Sequence, residues 1–164
     1  LEIARQQGLL KERVIHGDPK LNNFLFACDS DEIISLIDLD TVKPGLIHYD
    51  IGDCLRSSCH NHDGNRFDLE LAEIILQNYI QEAGKMMTQA DYDFLYDAIW
   101  LIPFELGLRF FTDYLQGNRY FKTNEPRHNL KRAIAQFELC DDIEKQKPKL
   151  LGMMATLSSP NTVT

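Results

Sequence analysis

Hydrophobic and polar positions change period along this chain. Arg13–His16 reads as a short strand that leads into a turn-rich stretch, His16-Gly17-Asp18-Pro19. Two apolar runs follow, Asn23–Ala27 and Ile33–Ile37, rich in β-branched and aromatic residues and separated by the polar Cys28-Asp29-Ser30-Asp31-Glu32. That pattern predicts a β-hairpin with a polar tip. Pro44-Gly45 predicts a turn, Tyr49–Ser58 a helix, and His60–Asn65 a polar break. From Phe67 onward the period is helical: Leu71, Ile74, Ile75 and Tyr79 recur at three- and four-residue spacing up to Gly84. Thr88 and Asp91 have capping-box spacing and open a long segment to Leu115, apolar nearly all round through Ile99–Phe111 and expected to be central and buried. Pro103 predicts a kink or a boundary between two helices there. A last helix is expected over Pro126–Lys145, with Leu130, Ile134, Phe137 and Leu139 on its apolar side.

Composition narrows the picture. With 44% apolar and 26% charged residues in 164, the chain reads as an ordinary globular domain rather than a disordered or low-complexity one. Seventeen basic against 25 acidic residues give a net charge of −8, which argues against nucleic acid or an anionic membrane as a partner. The most apolar stretch carries Pro103, Glu105 and Arg109, so no membrane-spanning segment is expected. Four cysteines without C-x-x-C spacing favour a reducing, cytoplasmic setting. Cys54, Cys59, His60 and His62 lie close together, yet their spacing fits none of the common zinc modules.

Three side chains near the hairpin carry the candidate chemistry: Asp18 before it, Asn23 at its start and Asp38 at its end. A hairpin folds Asp38 back towards the Asp18 loop. Two carboxylates and an amide so arranged supply a base and hard oxygen ligands, a sparse set that suits magnesium shared with substrate phosphates.

The run His16-Gly17-Asp18-Pro19-Lys20-Leu21-Asn22-Asn23, followed by Ile37-Asp38-Leu39-Asp40, resembles the catalytic and metal loops of the aminoglycoside phosphotransferase and choline kinase family. Protein kinases write the same elements as H-R-D-L-x-x-x-N and D-F-G, with the same Asp-to-Asn spacing. The resemblance implies an α+β fold: a protein kinase-like C-terminal lobe, mainly α-helical, with a short β-hairpin carrying the catalytic and metal loops. It further implies that Asp18 orients or deprotonates an acceptor hydroxyl and that Lys20 touches the transferred phosphoryl group. Asn23 and Asp38 are then expected to hold Mg2+ on the phosphates of ATP. Asp40 replaces the second glycine of the metal motif, and is expected as a further metal ligand or a sugar-hydroxyl acceptor. Tyr49-Asp50-Ile51-Gly52-Asp53-Cys54-Leu55-Arg56 is similar to the family's Y-D-I-x-x-x-x-R element. There Asp50 is expected to brace the catalytic loop, with His16 a structural partner. Arg56 is read either as an acceptor-binding residue or as the partner of a nearby carboxylate.

Asp38-Leu39-Asp40-Thr41-Val42-Lys43-Pro44-Gly45, with Arg109–Leu115 and Tyr120-Phe121-Lys122, is similar to the N-acetylhexosamine 1-kinase branch. That likeness implies a small-molecule acceptor, a sugar phosphorylated at its anomeric hydroxyl. Asp113 and Tyr114 are expected at the sugar, with Tyr120 and Phe121 offering aromatic faces. Choline, homoserine or aminoglycoside acceptors, or a non-catalytic kinase-like module, are the alternatives. The resemblance covers residues 1–157 as the C-terminal lobe, ahead of a polar tail at 158–164, and finds no glycine-rich phosphate loop or strand lysine. A nucleotide-gripping N-terminal lobe is therefore the expected missing partner, and little turnover is expected of this chain alone.

Overall fold

A computed structural model describes residues 1–158. A short helix α1 (Glu2–Gln6) precedes strand β1 (Arg13–Ile15), which ends one residue before His16. The expected hairpin forms from β2 (Phe24–Phe26) and β3 (Ile33–Leu36), antiparallel, with Phe24 opposite Leu36 and a register irregularity at Leu25/Phe26. Single 3-10 turns, Leu21–Asn23 and Leu39–Thr41, flank it on either side.

Pro44-Gly45 is not a turn. Lys43–Gly45 forms strand β4, paired antiparallel with β1 so that Arg13 faces Gly45 and Ile15 faces Lys43. Pro44 is tolerated because this two-stranded ladder leaves it an edge on which no N–H is required. The β1–β4 ladder therefore closes the segment carrying the hairpin into one loop, with the start of the turn-rich stretch and the end of the metal segment side by side.

Helix α2 (Ile47–Ser58) follows, then a two-residue ladder of β5 (His60–Asn61) with β6 (Arg66–Phe67) across the polar break. Helix α3 (Leu69–Ala83) is capped by Asp68, whose side chain accepts the Leu71 N–H. Its buried residues are Ala72 and Leu76; Ile74 and Leu71 of the expected stripe face outward. The capping box forms as spaced: Thr88 and Asp91 exchange side-chain and backbone bonds at the start of α4 (Gln89–Asp93).

The long apolar segment divides at Phe94, not at Pro103. Helix α5 (Leu95–Leu115) runs through Pro103. Its first half is central, with Leu95 and Ile99 buried, while its second half exposes Leu108, Phe111 and Leu115. Helix α6 (His128–Ser158) extends well past Lys145 and through Pro148. It takes in Ser158 of the expected tail, and residues 159–164 lie outside the described residues.

Helices α5 and α6 form the most extensive helix pair and, with α2 and α3, enclose a core of Leu55, Ala72, Leu76, Leu95, Ile99, Leu139, Ile143 and Leu150. Helices α2 and α5 touch closely at Gly52, where an added Cβ would sit 2.8 Å from the Ala98 carbonyl oxygen. Burying each large aliphatic side chain here contributes roughly 1.5–3 kcal/mol. This helical body is the platform on which the Asp18 loop and the hairpin rest. Among the described residues, no helix is long and apolar enough to cross a membrane.

Candidate active site

The loop after β1 is held from below by α2. Asp50, in the first turn of α2, accepts the backbone N–H of His16 at 2.7 Å through one carboxylate oxygen and that of Gly17 at 2.8 Å through the other. Gly17 has φ +85°, and an added Cβ would lie 2.8 Å from the Thr41 carbonyl oxygen, so the position demands glycine on both counts. Thr41 completes the clamp: its hydroxyl donates to the His16 carbonyl at 2.7 Å.

His16 is buried and ties the loop to the end of the hairpin. Its Nδ1 accepts the Asp18 N–H at 3.3 Å, which leaves the proton on Nε2 to donate to the Ile37 carbonyl at 3.0 Å. One imidazole thus fixes the backbone beside Asp18 and the backbone beside Asp38.

Asp18 itself is half-buried. Lys20 Nζ forms an ion pair with its Oδ2. Asn23, buried at the end of the 3-10 turn, donates from Nδ2 to the Asp18 carbonyl at 2.7 Å, to Asp18 Oδ2 at 3.2 Å and, more weakly, to Asp38 Oδ2 at 3.5 Å. Asp18, Lys20, Asn23 and Asp38 therefore converge on one small acidic cluster. Asp38 sits in the left-handed region, φ 63° and ψ 49°, which for a residue with a Cβ costs about 1–2 kcal/mol and is tolerated best by Asp, Asn and Gly. Its side chain is exposed, as is that of Asp40 two residues on in the next 3-10 turn. With its Nδ2 committed, the Asn23 Oδ1 is the atom with ligand capacity. An amide oxygen and an exposed carboxylate are hard donors that fit a cation sharing its coordination with phosphates and water.

Arg56 lies elsewhere on α2 and forms an ion pair with Asp53 at 2.8 Å, both side chains mostly buried. Between its two readings, the geometry is that of the carboxylate partner. The neighbouring thiols have no thiolate character: burial pushes Cys59 up to about 12 and Cys54 upward as well.

Asp113 and Tyr114 lie at the far end of α5. Asp113 is buried and saturated: Oδ1 accepts the N–H groups of Arg119 and Tyr120, and Oδ2 accepts that of Phe121 and the Asn129 amide, all at 2.8–3.0 Å. Burial pushes its carboxyl up, but these backbone amides outweigh it and hold the group below its ordinary value. A carboxylate has about four lone-pair positions, so Asp113 serves the Gln116–Phe121 loop rather than a ligand. Tyr114 is half-buried on the same helix. Among the described residues, no hydrogen bond or ion pair joins Asp113 to the Asp18 cluster.

One participant was not singled out from sequence. Thr41 reads as an ordinary residue after the metal motif, and only the fold brings it under His16. Arg109, on α5, lies over the Tyr120 and Phe121 rings of the loop that Asp113 shapes.

The sequence profile of the phosphotransferase enzyme family matches residues 2–96, more than half of the chain. The chain belongs to that family. The matched span holds every member of the Asp18 cluster together with His16, Thr41 and Asp50, and it ends at the start of α5. The family carries a kinase-like fold, and the mainly helical body with small antiparallel ladders agrees with it.

Proposed function

We propose that this phosphotransferase moves the γ-phosphoryl group of ATP to a hydroxyl of a small molecule, and that the acceptor is a sugar such as an N-acetylhexosamine, taken at its anomeric position. The convergence of Asp18, Lys20, Asn23 and Asp38 carries this reading. Phosphoryl transfer has little covalent work for a protein to do; catalysis rests on positioning and charge. Asp18 would accept a hydrogen bond from the acceptor hydroxyl and take its proton as that oxygen bonds to the γ-phosphorus and the bond to the departing ADP oxygen breaks. Lys20, beside that carboxylate, would place a point charge against the transferring group. Asn23 and Asp38 would hold Mg2+, with Asp40 near enough in sequence to add an oxygen. The chemistry such a cation would supply is neutralisation of charge on the phosphates.

The hairpin supports the same reading. Leu25, Phe26, Ile33, Ile34 and Leu36 are exposed beside the cluster, on both faces of a two-stranded ladder. Such a surface suits a nucleotide base and the covering lobe expected to grip it.

The test is phosphoryl transfer from ATP, by protein that includes the expected nucleotide-gripping lobe, across a panel of N-acetylhexosamine, choline, homoserine and an aminoglycoside, in the presence of Mg2+. Asp18→Asn is expected to lower kcat by about 10²–10⁴-fold with nucleotide affinity nearly unchanged, because the base acts in the transition state. Survival of kcat would remove Asp18 from that role. Nucleotide binding indifferent to Asp38→Ala would instead favour a non-catalytic module.

A further inference from the structure

Asp38 adopts a left-handed backbone, yet its own side chain makes no capping bond, so the usual local reason for an aspartate at positive φ is missing. A conformation of this kind persists only when its surroundings impose it. Here both flanks of Asp38 are tied to one residue. On the near side, His16 Nε2 donates to the Ile37 carbonyl at 3.0 Å. On the far side, the Thr41 hydroxyl donates to the His16 carbonyl at 2.7 Å and lies 3.4 Å from the Asp38 carbonyl. A hydroxyl has one proton to give, so the shorter contact is the bond and the longer one a close approach. His16 is itself fixed, because Asp50 holds its N–H and its Nδ1 accepts the Asp18 N–H. Thr41 also lies against Gly17, where an added Cβ would sit 3.1 Å from the Thr41 Cβ. The turn that begins at Asp38 is thereby pinned, at its far end, to the loop that carries Asp18.

We infer that Thr41 is a positioning residue: through its hydroxyl bond to the His16 carbonyl it keeps the Asp38 backbone left-handed, and so aims the carboxylate proposed to hold Mg2+. The metal role of Asp38 rests on the proposed function, whereas the hold of Thr41 on its backbone does not. Without the hydroxyl, the His16 ring still fixes residue 37, but the turn after it is free to relax towards the more populated negative-φ regions. That rotation carries the carboxylate away from Asn23 Nδ2, which reaches it only weakly, at 3.5 Å. The side chain of Thr41 is exposed, so valine in its place leaves the core untouched and gives up the His16 carbonyl to water. Threonine and valine are alike in shape and equally stiff at χ1, which makes the hydroxyl the difference between them. One neutral hydrogen bond is worth about two- to tenfold in the population it favours.

The isotopically labelled chain, free of metal and nucleotide, is compared by nuclear magnetic resonance with Thr41→Val and Thr41→Ser. Positive φ brings a residue's amide and α protons close together, so Asp38 is expected to show a strong cross-peak between them in the wild type. Thr41→Val is expected to lower the left-handed population, and with it this cross-peak, by about two- to tenfold. Thr41→Ser is expected to match wild type. Hydrogen exchange at the His16 and Gly17 amides, which Asp50 holds, is expected to stay the same in all three. Thr41→Ala, which removes the hydroxyl with less bulk against Gly17, is expected to reproduce the Thr41→Val result. In protein that includes the expected nucleotide-gripping lobe, the Mg2+ concentration that half-saturates ATP binding is expected to rise by a similar factor in Thr41→Val and not in Thr41→Ser. A wild-type cross-peak in Thr41→Val, a weakened one in Thr41→Ser, or an equal Mg2+ requirement in wild type and Thr41→Val overturns the proposal. Wild-type ATP binding that ignores Mg2+ instead overturns the metal role of Asp38, and the cross-peak still decides whether Thr41 holds its backbone.

Discussion

Asp50 and Gly17 are joined by a 2.8 Å hydrogen bond from the Gly17 N–H, and the other oxygen of the same carboxylate takes the His16 N–H. A helix residue thereby sets the backbone one position before the candidate base. Asp50→Ala leaves two amides without that acceptor. The expected cost is about 1–3 kcal/mol per donor left unsatisfied, less where water reaches it. Urea denaturation checks the loss, and faster hydrogen exchange at the His16 and Gly17 amides locates it.

Gly17→Ala meets two obstacles at once, a positive φ and the Thr41 carbonyl oxygen 2.8 Å from the new Cβ. Destabilisation of about 1–2 kcal/mol is expected from the dihedral alone, with the clash adding to it. Because the obstructing atom is backbone, the double variant with Thr41→Gly is expected to stay well below wild type in a thermal melt. Full recovery would show that the Thr41 side chain was the whole problem.

At Asp38 the backbone and the proposed ligand role separate. Asn tolerates the left-handed region about as well as Asp. Asp38→Asn is therefore expected to change stability by no more than about 0.5 kcal/mol. Magnesium-dependent nucleotide binding, measured by calorimetry, is expected to weaken more than about tenfold as the anionic ligand is lost.

Arg13 and Asp91 form a two-pronged ion pair at 2.8 and 3.3 Å, with Asp91 almost fully buried. Burial pushes the Asp91 carboxyl up, but Arg13 and the Thr88 backbone and hydroxyl outweigh it and hold it below its ordinary value. A carboxyl depressed in the folded state adds stability that is present above its unfolded pKa of about 3.9 and is lost as pH falls through the folded value. Arg13→Met strands the charge, at a cost of about 3–5 kcal/mol near neutral pH. Without Arg13 the carboxyl loses its largest lowering influence while its burial remains. The variant is then expected to recover stability relative to wild type as pH falls towards 4, read as urea midpoints at pH 7 and 4.5.

His48 is fully buried, with Nε2 against the Asp91 carbonyl at 2.9 Å and, among the described residues, no partner for Nδ1. Burial lowers its pKa, despite the opposing pull of the Asp91 carbonyl. A histidine depressed in the folded state contributes stability above its unfolded pKa of about 6.5, and that contribution fades as pH falls below it. Wild-type stability is expected to decline from pH 6.5 to 5, with a shallower slope in His48→Gln. His60, also lowered by burial, accounts for part of the remaining slope. An unchanged slope in His48→Gln would remove His48 from the titration.

What the sequence disclosed was local. The Thr88–Asp91 box lies within a single turn, and the hairpin is written in two short runs with a polar tip, so both could be read directly. Asp18, Asn23 and Asp38 were legible as a group because the hairpin alone brings them together. The differences arise where packing or loop conformation, rather than local pattern, decides. Lys43–Gly45 becomes a strand only because Arg13–Ile15 lies beside it. Pro103 and Pro148 are absorbed by helices whose packing against each other offsets a missing backbone bond. Asp113 looked like a substrate residue for its type and neighbourhood; that three amides and Asn129 use all its oxygens follows from a loop conformation no spacing rule supplies.

The β2–β3 ladder is also a measuring device. Asn23 ends the turn before one strand and Asp38 follows the other, with Phe24 opposite Leu36 fixing their offset. A one-residue slip would move the β3 residues that lead to Asp38 by roughly 3.3 Å and turn their side chains to the opposite face. Residues added at the Cys28–Glu32 tip lengthen the handle and leave the jaws where they are, whereas one residue added inside either strand resets the separation of Asn23 and Asp38.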